Sequence, residues 1–120
     1  MITADTLSHD SIYNMVIDVL NESATPADTI TAEILAEDED HQFFFQPSGA
    51  TITVAYGDAD ADGNPVGLNT TWTIGAAGNG TVLVTLRHQP NKSASGVSIG
   101  DITNAGGDTD IEVSFPMVIE

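Results

Sequence analysis

Apolar and polar residues alternate at every second position over one short run of this chain after another. The clearest run is 108–115, where Ile111, Val113 and Phe115 alternate with Asp110, Glu112 and Ser114. Successive side chains of a strand point to opposite faces, so such a run has one face for a core and one for water. The same rhythm places Tyr13, Met15, Ile17 and Val19 together in 12–20, and Ile52, Val54 and Tyr56 against threonines in 51–56. In 81–88 it sets Val82, Val84 and Leu86 opposite Leu83, Thr85 and Arg87. Strands are also expected at 41–46, at 68–74 and, as a short edge, at 99–102. Segment 29–37 is assigned to a strand by its neighbours, although its Ala, Glu and Leu favour a helix. Turn residues separate the runs. Pro47-Ser48-Gly49 is one turn, and the glycine-rich 75–80 is expected to close a hairpin between 68–74 and 81–88. Pro116 points to an edge position or a bulge.

Seven or eight short strands in 120 residues make one all-β domain. The expected form is an immunoglobulin-like antiparallel β-sandwich with Greek-key crossovers. Residues 1–10 read as a polar lead-in and 11–120 as the single domain. A chain of this length buries a core without staples, and none is offered, since cysteine is absent. Disulfides, thiolate metal sites and cysteine nucleophiles are thereby excluded. No run reaches the ~18 apolar residues of a membrane helix. Residues 1–5 lack the basic start and apolar core of a secretory signal, so an extracytoplasmic home implies a leader already removed.

Charge narrows the partners. Eighteen acids face two bases, Arg87 and Lys92, for a net charge of −16. Such a field repels nucleic acid and anionic membranes, and attracts cations and basic partners. It suits a secreted protein, and equally the cytoplasm of a halophile. The acids gather at 37–40, 58–62 and 108–110, each at an expected strand end. Four asparagines, Asn21, Asn69, Asn79 and Asn91, stand in N-x-S/T triplets, a pattern that arises by chance in a Ser/Thr-rich chain.

Two groups of residues have the chemistry to hold a metal. Asp58-Ala59-Asp60-Ala61-Asp62-Gly63-Asn64 is the first half of a calcium loop: alternate carboxylates converge on one ion and the glycine permits the turn beneath. The twelfth position is Asn69 rather than a bidentate glutamate, so Asp101, Asp108 or Asp110 would have to supply the missing oxygens. The same residues also read as an acidic β-turn. The second group is histidine. His9, His41 and His88 have no ligand spacing in sequence, but imidazole with carboxylate suits zinc, copper or iron. His41, after four acids, and His88, at a strand end, form the pair to test first. Catalysis has no motif here: no G-x-S-x-G, no phosphate loop with lysine, no distinguished carboxylate pair. Trp72 is assigned to the core. Of Phe43, Phe44 and Phe45, one must face away from the other two. The long irregular stretch 89–107 is a natural place for binding.

His41-Gln42-Phe43-Phe44-Phe45, Asp60 to Gly67, Arg87-His88-Gln89-Pro90-Asn91-Lys92 and Gly107 to Phe115 together resemble small β-sandwich lipoproteins of Gram-negative outer membranes, associated with TonB-dependent receptors. The resemblance covers residues 41–120. It implies an extracytoplasmic location and capture or handover of a ligand, with an outer-membrane receptor or other cell-surface protein as partner. The lipid-bearing cysteine of that family is absent from this sequence. The resulting expectation is a non-catalytic binding or accessory module. The alternatives are a calcium-stabilised structural or adhesin domain of a larger secreted protein, and a transition-metal or haem uptake protein.

Overall fold

The computed structural model of the protein describes residues 6–17, 20–21, 28–29 and 31–120, without the side chains of 20, 21, 28 and 29. Val19, Pro26 and Ile30 lie outside the described residues. In chain order the elements are β1 (Ile12–Val16), β2 (Leu20–Asn21), β3 (Asp28–Thr29), α1 (Thr31–Ala36), β4 (His41–Ser48), β5 (Ile52–Tyr56), β6 (Asn69–Ile74), β7 (Gly78–His88) and β8 (Asp108–Ile119). Short 3-10 turns occupy Asp38–Asp40, Val97–Ile99 and Ile102–Asn104.

Six of the strands build a sandwich of two antiparallel sheets, ordered β1-β6-β5 and β4-β7-β8. This is the immunoglobulin-like arrangement of strands B-E-D facing C-F-G. Leu7, in a parallel bridge with Ile119, stands in for the first strand. Its N–H donates to the Val118 carbonyl and its own carbonyl accepts from the Glu120 N–H, both at 2.8 Å. Part of the expected lead-in thus belongs to the sandwich, and Leu7 is a core residue. Among the described residues the sandwich has six strands rather than seven or eight, because β2 and β3 pair there only with each other. No helix among the described residues is long and apolar enough to cross a membrane.

Local signals misassigned four segments. The glycine-rich connection does not close a hairpin: β6 pairs with β1 and β5, while β7 pairs with β4 and β8. Residues 75–77 cross from one sheet to the other, so the apolar faces of β6 and β7 meet across the core instead of side by side. Segment 31–36 is a helix; its Ala, Glu and Leu preference prevails because only Ile34 enters the core and Leu35 stays exposed. The expected edge strand at 99–102 is replaced by two 3-10 turns flanking Gly100, whose φ of 97° breaks an extended run. Pro47 and Ser48 continue β4 rather than turning. Pro116 does lie in an edge strand, β8, opposite Thr81.

The core between the sheets contains Phe43, Trp72, Ile74, Val82, Leu86, Met117 and Ile119. Trp72 Nε1–H donates to Thr70 Oγ1 at 2.9 Å, which satisfies its one buried polar atom. Phe45 meets Trp72 edge to face, with centroids 5.9 Å apart. Phe44 points the other way and is fully buried under 91–105, with Val97 and Ala105. Gln42, beside it, donates its Nε2–H to the Val97 carbonyl at 2.8 Å. The long loop therefore covers the outer face of the β4-β7-β8 sheet and holds a second, smaller core.

Candidate metal centre

Pairing of β4 with β7 sets His41 directly opposite His88. Both histidines share the inward face with Phe43 and Leu86, but they lie at the end of the sandwich, where the core opens. Their rings stack with centroids 4.9 Å apart and 5° between planes. His41 is buried and His88 half-exposed. His41 Nδ1 lies 3.0 Å from the Glu37 carbonyl oxygen. A carbonyl only accepts, so the proton of neutral His41 sits on Nδ1 and the Nε2 lone pair is free. This backbone hydrogen bond is the usual device that orients a metal-ligating imidazole.

Carboxylates complete the group. Asp110 Oδ2 is 3.6 Å from His41 Nε2 and 3.9 Å from His88 Nδ1. A bulge brings it there: Leu86 pairs with Ile111 and Arg87 with Thr109, which leaves Asp110 as the extra residue on β8. Bulges re-aim side chains in this way. Glu37, at the end of α1, places a carboxylate oxygen so that it and one nitrogen from each of His41 and His88 lie within 4.8 Å of one another. Tetrahedral ligands at about 2.0–2.1 Å from zinc sit roughly 3.3 Å apart. Closing to that spacing requires the side chains of exposed Glu37 and half-exposed His88 to move. Beside the histidines is an open cavity of about 320 Å³, lined among others by Glu33, Ile34, Glu37 and Asp110. A porphyrin with two propionates would meet these three acids, whereas a cation is drawn to them. Gly107, with φ 73°, sits so close to the His88 carbonyl that a Cβ would collide with it. That close approach fixes the hairpin arm carrying His88 against the start of β8.

The aspartate loop is put to a different use. Asp58 accepts four backbone N–H groups, from Val66, Gly67, Leu68 and Asn69, at 2.8–3.2 Å. Asp60 accepts the N–H groups of Asp62 and Asn64 on Oδ1 at 2.9 and 3.0 Å. Its Oδ2 lies 2.8 Å from Lys92 Nζ. The Lys92 ammonium is buried and donates also to the carbonyls of Asp38 (2.7 Å) and Pro65 (3.0 Å). A lysine thus holds the position a cation would take, and all three of its donors are used. Asp58 and Asp60 have spent their oxygens on amides and ammonium, Asp62 points to solvent, and the Asn64 carbonyl accepts the Asp60 N–H at 2.7 Å. The expected convergence of three carboxylates on calcium is not formed. Burial pushes the Asp60 carboxyl up, but Lys92 and the two N–H donors outweigh it and hold it below its usual range.

Lys92 also ties together the three loops at this end of the sandwich: Asp38 before β4, Asp60 and Pro65 between β5 and β6, and its own loop between β7 and β8. The acidic clusters at 37–40 and 58–62 thereby converge. Asp62 across the gap, followed by burial and by Asp38, Asp60 and Asp40, raises the Glu39 carboxyl above its ordinary range. His9 is not part of the group; its Nδ1 lies 2.7 Å from the Glu120 carbonyl at the far end of β8. Asp101 caps the turn at Ile102–Asn104 by accepting the Thr103 N–H at 2.9 Å, and Asp108 pairs in the ladder opposite His88.

Glu37 and Lys92 carry roles that sequence reasoning did not give them, and Asp110 entered only as a calcium oxygen. Lys92 had one usable signal: a lone lysine in so acidic a chain has a carboxylate to meet. The fold and site define an acidic immunoglobulin-like domain with a cross-strand histidine pair at its loop end. No family model, curated protein or solved structure matches the chain.

Proposed function

We propose that this protein is a non-catalytic binding module whose ligand is a divalent transition-metal ion, captured by His41 and His88 with Glu37 and Asp110. One observation carries the proposal: two imidazoles from neighbouring strands stack at the mouth of the core, with two carboxylates, Glu37 and Asp110, close by. Nitrogen with carboxylate oxygen suits zinc, copper, nickel or iron better than calcium or magnesium. The surrounding acids raise the local cation concentration. In immunoglobulin-like domains the loops at one end of the sandwich are a common place for binding, and the histidines sit there. The setting in this proposal is extracytoplasmic, as the lipoprotein resemblance implies, with the ion passed on to an outer-membrane receptor or other cell-surface protein.

Isothermal titration with zinc, copper and nickel tests it. One ion per chain should bind with micromolar or tighter affinity, and His88→Ala should remove the binding while leaving the fold intact. Unchanged binding in both His88→Ala and His41→Ala would move the ion elsewhere and end the proposal.

A further inference from the structure

The free edge of β5 has the properties of a docking strand. β5 is the last strand of its sheet. The Gly57 N–H donates to the Asn69 carbonyl and the Gly75 N–H to the Thr51 carbonyl, both at 2.8 Å. Odd-numbered residues therefore turn their backbone groups toward β6. By the alternation of an antiparallel ladder, Ile52, Val54 and Tyr56 turn their N–H and C=O groups to the open side. No described residue pairs with them there.

Exposed edges invite another strand, and proteins normally blunt them with charge, proline, a bulge or a cover. Two other edges of this sandwich are blunted. β8 carries Asp108, Glu112, the bulge at Asp110 and Pro116, and its end is paired with Leu7. On β4 the Phe43 N–H is taken by the Val66 carbonyl, the Phe43 carbonyl by the Tyr56 hydroxyl, and Pro47 has no N–H to offer. Residues 51–56, Thr-Ile-Thr-Val-Ala-Tyr, contain no charge, no proline and no glycine.

A groove runs along this edge. Its volume is about 220 Å³ and its lining includes Phe45, Pro47, Ile52, Val54, Tyr56 and Ile99. Ile99, at 81% exposure, is the most exposed large aliphatic among the described residues. An extended chain added to β5 would satisfy the open backbone groups and send every second side chain into this groove. Charge selects the occupant. A second copy would bring −16 against −16, whereas a basic segment is attracted.

We propose that β5 is the docking edge for an extended, basic segment of a partner polypeptide, which joins the β1-β6-β5 sheet as an added strand with its alternate apolar side chains in this groove. The proposal is independent of the metal centre.

The probe is a dye-labelled peptide of alternating valine and threonine flanked by lysines, with a glutamate-flanked twin. Anisotropy reads affinity, and amide exchange by NMR reads the site. Exchange at Ile52, Val54 and Tyr56 should slow about tenfold or more with the lysine peptide and stay unchanged with its twin. Val54→Pro removes one outward donor without touching the ladder to β6. Thr53→Lys places a charge on the solvent face of the edge and keeps every native hydrogen bond. Each should weaken binding by about tenfold or more. Binding that leaves these three amides unprotected, binding unaffected by Thr53→Lys, or no binding at millimolar peptide would overturn the proposal. Protection of the same amides in peptide-free dimers, seen by sedimentation, would make a second copy the occupant and overturn the choice of partner.

Discussion

Replacing Lys92 with methionine removes the ammonium at the centre of the loop end while keeping the length and most of the volume of the side chain. Its partner Asp60 then stays buried as an unpaired carboxylate, and the carbonyls of Asp38 and Pro65 lose a donor. The two side chains are 5% and 1% exposed, so solvent screening does not soften the loss. Breaking such a pair from one side costs about 3–5 kcal/mol. For a domain of this size, roughly 4 °C per kcal/mol, the midpoint falls by about 12–20 °C. Urea unfolding followed by circular dichroism gives the free energy directly, with an unchanged slope showing that the folded state is still compact. Adding Asp60→Asn to Lys92→Met should recover part of the loss, because the stranded charge is gone; that cycle isolates the coupling. Acid provides an independent check. The folded Asp60 carboxyl titrates below its unfolded value, so its contribution is present above about pH 4 and is lost as the pH falls through the lower, folded value. In Lys92→Met this part of the acid sensitivity shrinks. A loss under about 1 kcal/mol, the worth of a surface pair, would refute the reasoning.

Three further predictions follow from the same geometry. Calcium and magnesium at matched ionic strength should move the unfolding midpoint equally, because the oxygens of Asp58 and Asp60 are already engaged; a calcium-specific rise would mean the loop rearranges around that ion. Alkaline titration at 295 nm should show two separate phenolates. Burial pushes Tyr56 up to about 12, while the Ser8 N–H hydrogen bond lowers Tyr13 from its ordinary value, and Tyr13→Phe should delete the lower step. Phe44→Ala, measured by urea unfolding, should cost about 3–5 kcal/mol, since the fully buried ring anchors the loop 91–105 to its sheet; a change under about 1 kcal/mol would show that the loop is not held by that ring.

Much of the fold is visible in the chain because a two-residue rhythm has only one physical meaning at these lengths. Tyr13 and Met15, Ile52 and Val54, Val82, Val84 and Leu86 all face the core from the positions their alternation implies. Pairing is less visible. The glycines at 75–80 satisfy a crossover as readily as a hairpin, so local turn chemistry could not tell that Ile74 and Val82 face each other across the core. Segment 31–36 lacked an arbiter, since a single buried residue, Ile34, is compatible with either helix or strand. The candidate site was legible residue by residue only where chemistry is rare: three histidines invite a search for ligands, and two of them meet. Asp110 was hidden among eighteen acids, because its position depends on a one-residue bulge that no local pattern announces. The aspartate loop shows the opposite failure. Its spacing is right for a cation, yet the cation it meets is a lysine ammonium 32 positions away in the chain, and nothing short of the tertiary fold brings that lysine in.

The most direct test of the central claim is the imidazole NMR spectrum of ¹⁵N-labelled protein, titrated with zinc at neutral pH. Before zinc, neutral His41 should carry its proton on Nδ1, bonded to the Glu37 carbonyl. On titration the signals of His41 and His88 should shift together and saturate at one ion per chain, while His9 stays unmoved. Zinc that perturbs His9 alike, or leaves the stacked pair unchanged, would contradict the assignment of a metal centre to this end of the sandwich.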